Sequence, residues 1–361
     1  MSDVLLTVGG LEYGGWKVAR VQCGLDRVAG EFALGVTELW PGQDVTRKIR
    51  PGDAAELSVA GQVVVSGYVD AVDLAVGERQ HEVSVRGRDK AADLVDCSAV
   101  LAPGQWRGKT ALALAQALAA PFGVAVAAGV DVGTPLATFA LQEGETALEA
   151  IDRAARLRGL LVTSDGAGGL LLTRAGVVRA DDMLAFGHNV AEARAAFDVR
   201  DRYSVYMAKG QSAGGDFWHG EAAAHVKAQA MDPQVTRYRP LLLTGEAPDQ
   251  AGSLRQRVLW EASVRAARSM QVLVTVPGWT QTSGALWRHN MLVHAQLEPL
   301  RLDDDVLIQS VEYSISDAGQ VTRLLLTRAD AFTVQVLPAA AAAPAGKSAP
   351  GAWWDVAGAR R

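Results

Sequence analysis

Short runs in which apolar and polar residues alternate, each closed by a turn residue, fill the first part of the chain. Alternation with a period of two places successive side chains on opposite faces of a strand. Val4–Val8 is such a run and ends at Gly9-Gly10. Trp16, Val18 and residues 20–25 form a second, and residues 32–36 a third, after Ala29-Gly30. Residues 56–59 and 62–68 flank Gly61, which predicts a tight hairpin. Residues 69–76 and 81–88 follow, split by Gly77-Glu78. Short strands with frequent turns predict a first small antiparallel β-barrel domain over residues 1–97.

The period then changes. Leu112, Ala115 and Leu118 recur at helical spacing until Pro121 stops the run. Thr146-Ala147-Leu148-Glu149 has the form of a capping box, and Leu148, Ile151 and Ala155 continue on one helix face as far as Gly159. Residues 160–163 and 170–173 read as strands joined through the turn at 165–169. Residues 98–185 are therefore expected to form an α+β insert. Alternation returns at 203–209, 235–244, 271–276, 291–296, 306–316 and 321–327. A helix is expected over 250–269, with Leu254, Val258, Ala262 and Ala266 along one side. Residues 186–337 thus predict a second β-barrel domain with an inserted helix. Residues 338–361 read as an Ala/Pro/Gly-rich linker and a tail that carries Trp353 and Trp354. The expected class is mainly β with an α+β insert: two small antiparallel barrels plus helices.

Charge narrows the function. Lys and Arg total 35 against 40 Asp and Glu, a net charge of −5 with no basic run. Phosphate recognition needs clustered cations, so specific nucleic-acid binding is not expected. Cys23 and Cys97 lack metal-ligand spacing, and both are expected to be buried free thiols. The N-terminus lacks a basic region followed by an apolar core, and no apolar run is long enough to span a bilayer. Synthesis in the cytoplasm without membrane insertion is the expectation.

The candidate chemistry fails motif by motif. Gly108-Lys109-Thr110 resembles the end of a phosphate loop, but Pro103 stands where the first glycine belongs. A turn into a Thr110-capped helix is expected instead. His289 and His294 are five apart, which does not suit a shared metal. Asp303-Asp304-Asp305 lacks the spacers and glycine bend of a calcium loop and reads as a solvated turn between strands. Asp70 with Asp73, and Asp93 with Asp96, are carboxylate pairs in sequence only. Gly166, Gly168 and Gly169 sit in a hairpin turn and open no helix, and no nucleophile elbow is present. No catalytic, cofactor or metal residue is therefore expected, and no enzyme.

Longer blocks run in order along the chain. They are Val28-Ala29-Gly30-Glu31-Phe32-Ala33-Leu34-Gly35-Val36, Gly67-Tyr68-Val69-Asp70, Gly87-Arg88-Asp89-Lys90-Ala91-Ala92-Asp93-Leu94-Val95-Asp96-Cys97 and Arg200-Asp201-Arg202-Tyr203-Ser204. Val235-Thr236-Arg237-Tyr238-Arg239-Pro240 follows, then Gly278-Trp279 with Gly284-Ala285-Leu286-Trp287 and Asn290. Together, from Val4 to Phe332, they resemble the baseplate hub proteins of Mu-type contractile-tail phages. That resemblance implies two related barrels and a homotrimeric ring that joins the tail tube to the central spike within a virion baseplate. It implies other baseplate proteins as partners, and DNA passing through the ring without specific binding. The hub of a type VI-like or other contractile injection device is an alternative; its spikes usually continue into a fused β-helix. A hydrolase acting on cell wall or glycan is the alternative from another class. Arg88 and Asp89 lie between a strand and a helix start. They are either a charge-paired turn that locks barrel to insert or a solvent-exposed turn. Trp353 and Trp354 are the candidate partner interface.

Overall fold

The computed structural model describes residues 4–37, 49–77, 80–210, 226–244, 251–317 and 319–334. The linker and tail, with Trp353 and Trp354, lie outside the described residues. The first region contains β1 (Val4–Val8), β2 (Leu11–Tyr13), β3 (Val18–Gly24), β4 (Glu31–Thr37), β5 (Ala54–Val59), β6 (Gln62–Gly77) and β7 (Gln80–Asp89). Ala60 and Gly61 both have positive φ, the two-residue turn that matches strand twist in a hairpin. The runs at 62–68 and 69–76 are one 16-residue strand, β6, not two. Its register against β7 shifts between Val69 and Ala71, and such a bulge resets the alternation that sequence reading relies on.

The insert holds α1 (Ala91–Asp96), β8 (Gln105–Lys109), α2 (Ala111–Ala119), β9 (Val126–Ala128), β10 (Leu136–Ala140), α3 (Ala147–Arg156), β11 (Leu161–Ser164) and β12 (Leu170–Thr173). Thr110 caps α2 by accepting from the Ala113 N–H at 3.1 Å. Thr146 and Glu149 complete the capping box of α3. Leu114, Leu118, Ile151, Leu160, Leu170 and Leu172 make a core of its own.

Then come β13 (Val178–Arg179), β14 (Leu184–Ala185), β15 (Glu192–Phe197), β16 (Val205–Gly210), β17 (Val226–Met231), β18 (Pro240–Thr244), α4 (Ala251–Arg268), β19 (Met270–Pro277), β20 (Met291–Leu297), β21 (Leu302–Ser316) and β22 (Gly319–Thr327). The mainly-β class with an α+β insert holds, but among the described residues the strands do not close into two barrels. Among the described residues the main sheet runs open in the order β15-β19-β22-β21-β3-β4-β7-β6-β5-β1-β2. The length of β21 explains this. One edge pairs β22, while the other pairs β20 over its first half and β3 over its second. The two β regions therefore share one sheet and one core, in which Leu6, Val21, Leu57 and Val85 join Val272, Val293, Val306 and Leu324. A separate three-stranded sheet, β17-β16-β18, packs Tyr206, Ala208 and Ala230 against Leu254 and Val258 of α4. Among the described residues no helix is long and apolar enough to cross a membrane.

Candidate functional site

β7 ends in Arg88 and Asp89, and α1 begins two residues later. Strand alternation sends the two side chains to opposite sides. Asp89 points inward and is 1% exposed. Its Oδ1 accepts from the Ala91 N–H at 2.7 Å, and its Oδ2 accepts from the Gly30 N–H at 3.2 Å and the Ser164 hydroxyl at 2.9 Å. One carboxylate thus touches the β3–β4 loop, the start of α1 and the end of β11. Burial pushes it up to about 6, outweighing the hydrogen bonds from Ser164, Gly30 and Ala91. Arg88 faces outward, donating to Asp70 at 2.7 Å and Asp96 at 2.8 Å. These two bonds raise its pKa above the usual guanidinium range. A cavity of 340 Å³ lies over the turn, lined by Tyr68, Asp70, Arg88, Asp89 and Asp93 among others.

The tip of the β11–β12 hairpin extends this seam. Asp165 Oδ1 accepts from the Ala167 and Gly169 N–H groups at 2.7 and 2.8 Å. A Cβ on Gly168, whose φ is +87°, would lie 2.4 Å from the Ser66 carbonyl oxygen. Thr163 Oγ1 and His289 Nε2 are hydrogen-bonded at 2.9 Å. Desolvation brings His289 down to about 4, so it is neutral near pH 7. Cys23 lies against Gly30, and burial pushes its thiol up to about 12. Of these residues, sequence reasoning singled out Arg88 and Asp89, the carboxylates Asp70, Asp93 and Asp96, the glycines Gly168 and Gly169, His289 and Cys23. It missed Thr163 and Ser164, which look like ordinary strand positions.

A second buried polar group was also missed. Arg202 and Asp232 form an ion pair of 10% and 7% side-chain exposure, with Arg202 Nε and Nη2 donating to the carboxylate at 2.7–2.9 Å. Arg239 donates to the carbonyls of Arg202 and Arg200, and its guanidinium lies over the Tyr203 ring. This group fastens the base of the small sheet.

The outward face of the main sheet carries a charged row. Glu312 bridges Arg20 and Arg323 at 2.6 and 2.8 Å, Arg86 pairs Asp73 at 2.6 Å, and Arg88 pairs Asp70. Asp70, Asp73 and Asp96 thus face arginines rather than one another, so the sequence pairs do not become acid–base pairs.

The remaining candidates scatter. Lys109 ends β8 and leads into the Thr110-capped helix, as expected. His294 contacts Asp303 and Asp305, each at 3.2 Å, away from His289. Asp303, Asp304 and Asp305 lie inside β21 opposite Gln296, Ala295 and His294, not in a turn. The turn is 298–301, where Pro299 and the positive φ of Arg301 break the strand. Among the described residues no group of three His, Cys, Asp or Glu side chains is placed to hold a metal. Cys97 is exposed rather than buried, because it follows the last turn of the short α1.

Comparison with known proteins agrees with this layout. The family described as Mu phage baseplate assembly protein GpP-like, N-terminal, matches residues 3–89. Baseplate hub protein gp44-like, second domain, matches 91–174, and Mu phage baseplate assembly protein GpP, fourth domain, matches 250–335. Baseplate hub protein gp44 of Escherichia phage Mu is 34% identical over 344 residues, 93% of this chain and 90% of that protein. The chain belongs to the Mu gp44 baseplate hub family. The 43 kDa tail protein of prophage MuSo2 from Shewanella oneidensis has 34% identity and a TM-score of 0.82, covering 92% of this chain and 99% of that one. A tail protein from Neisseria meningitidis MC58 shares the fold at 23% identity and TM-score 0.78, covering 93% and 99%. This hub-family chain is accordingly a structural component of a phage-type tail baseplate. Within the hub family's own divisions, the first two segments meet at residues 89 and 91, where the Asp89 carboxylate sits.

Proposed function

We propose that the chain assembles as a ring-shaped homotrimer that joins the tail tube to the central spike, with the charged face of the main sheet turned to the channel. It acts by assembly rather than by catalysis and is made in the host bacterial cytoplasm. It contacts other baseplate proteins at the ring's rim. The observation that supports this best is the pairing of β3 with β21, which ties two β regions into one rigid unit. Three such subunits present six β regions, a match between three-fold and six-fold partners. A closed ring would also cover the open sheet edges at β2 and β15, which otherwise invite uncontrolled pairing. Asp89 and its hydrogen bonds hold the insert at a fixed angle to that unit, so that contacts made by either reach the other. Sedimentation equilibrium at micromolar concentration, with and without the spike protein, tests the reading. A mass three times that of the chain is expected. A monomer under both conditions overturns it.

A further inference from the structure

The small sheet β17-β16-β18 has two faces of different use. Tyr206, Ala208 and Ala230 point to α4 and are buried. Alternation sends the intervening residues the other way. Register places Met231, Val205 and Pro240 side by side across the three strands, with Gln229, Met207 and Leu242 in the next row of that face. Met231 is 71% exposed and Leu242 52% exposed. Tyr238, two residues before Pro240, is 87% exposed. Contiguous apolar surface of this kind marks an interaction site, and methionine adapts its shape to a partner.

We propose that this face seats the chain's own C-terminal segment, residues 338–361, with Trp353 and Trp354 as the anchors. The path of the chain favours this occupant. The turn at Ala329–Phe332 is fastened to α4: Ser263 Oγ donates to Asp330 at 3.1 Å, Trp260 Nε1 to the Thr333 carbonyl at 2.5 Å, and Arg268 Nε to the Ala331 carbonyl at 3.3 Å. The described chain therefore ends on the helix that backs this same sheet. From Val334 to Trp353, an extended chain spans about 60 Å, which reaches around the sheet or across to a second copy. Residues 338–352 carry no large apolar side chain, so the two indoles hold most of the tail's apolar area. The proposal does not depend on the trimer, since the same face accepts the tail within one chain or between copies.

The test uses the full-length protein with a benzophenone amino acid in place of Trp354. After irradiation, mass spectrometry maps the cross-links. Capture of Met231, Met207 or Leu242 is expected, and capture within a chain or between chains supports the proposal equally. Cross-links confined to other surfaces, or none, overturn it. In the same labelled protein, Met231→Glu with Leu242→Glu should lower cross-link yield roughly tenfold while leaving the melting temperature within about 3 °C, since both positions are exposed. An unchanged yield also overturns it.

Discussion

Asp89 shows how one side chain couples burial to pH. Desolvation raises its folded pKa to about 6, above the unfolded value of about 3.9. The folded state therefore binds this proton more tightly than the unfolded state does. The resulting stability is fully present below pH ~3.9 and is lost as pH rises through about 6. Facing groups are the Ser164 hydroxyl, the Cys23 thiol, which stays neutral, and the Asp165 carboxylate, whose charge adds to the shift. His289 pulls the other way: its folded pKa is lowered to about 4, so its contribution fades as pH falls from about 6.5. Comparing wild type with Asp89→Asn isolates the first effect. The fall in wild-type stability between pH 5 and 7.5, measured in urea, should exceed that of the variant by about 1 kcal/mol. Equal slopes would mean that Asp89 titrates normally. Sequence drew attention to Arg88 and Asp89 because they end a strand just before a helix. It left open whether they form a charge-paired turn or a solvent-exposed one, and did not see that Asp89 is buried, since that depends on Gly30 and Ser164, distant in the chain.

Helix caps and tight turns were the most legible elements, because their signals lie within four residues. Thr110, the Thr146–Glu149 box and the turn at Gly61 all take the expected form. In α3 the Thr146 Oγ1 accepts from the Glu149 N–H at 3.2 Å, while Glu149 accepts from the Thr146 N–H at 2.8 Å. Thr146→Ala should cost about 1 kcal/mol by chemical denaturation, and Thr146→Ser should restore most of it. A cost near zero would show that tertiary packing alone holds α3. Elements set by distant partners were not legible. The length of β6 depends on β7, and a strand position for Asp303, Asp304 and Asp305 depends on β20. The barrels were overcalled for the same reason. Local alternation predicts strands but not their neighbours, and β3 meets β21 across almost 300 residues.

At the scale of the whole molecule, charge pairing on the main sheet's outward face bears on the proposed role, in which DNA passes through the ring. Arg20, Arg86, Arg88 and Arg323 project from that face, enough cations to hold a phosphate backbone if they were free. Each instead has a carboxylate within 2.8 Å, from Glu312, Asp73 or Asp70. The Arg86–Asp73 and Arg88–Asp70 pairs are exposed and contribute little to stability, and Glu312, 13% exposed, is shared between two arginines, so the chief consequence of the row is electrostatic neutrality. A phosphate must displace a carboxylate to reach a guanidinium, which removes the gain from counterion release. Wild-type assemblies should therefore show no retention of duplex DNA at low salt. Glu312→Gln frees Arg20 and Arg323 together, and Asp73→Asn frees Arg86, at positions outside the core. The double variant should keep the assembly state and melting temperature of the wild type yet gain DNA retention that salt abolishes. Its salt slope should steepen by about 0.9 for each arginine that reaches a phosphate. Tight binding by the wild type would refute the neutral channel. A variant that assembles normally but gains no retention would place this face away from the path of DNA.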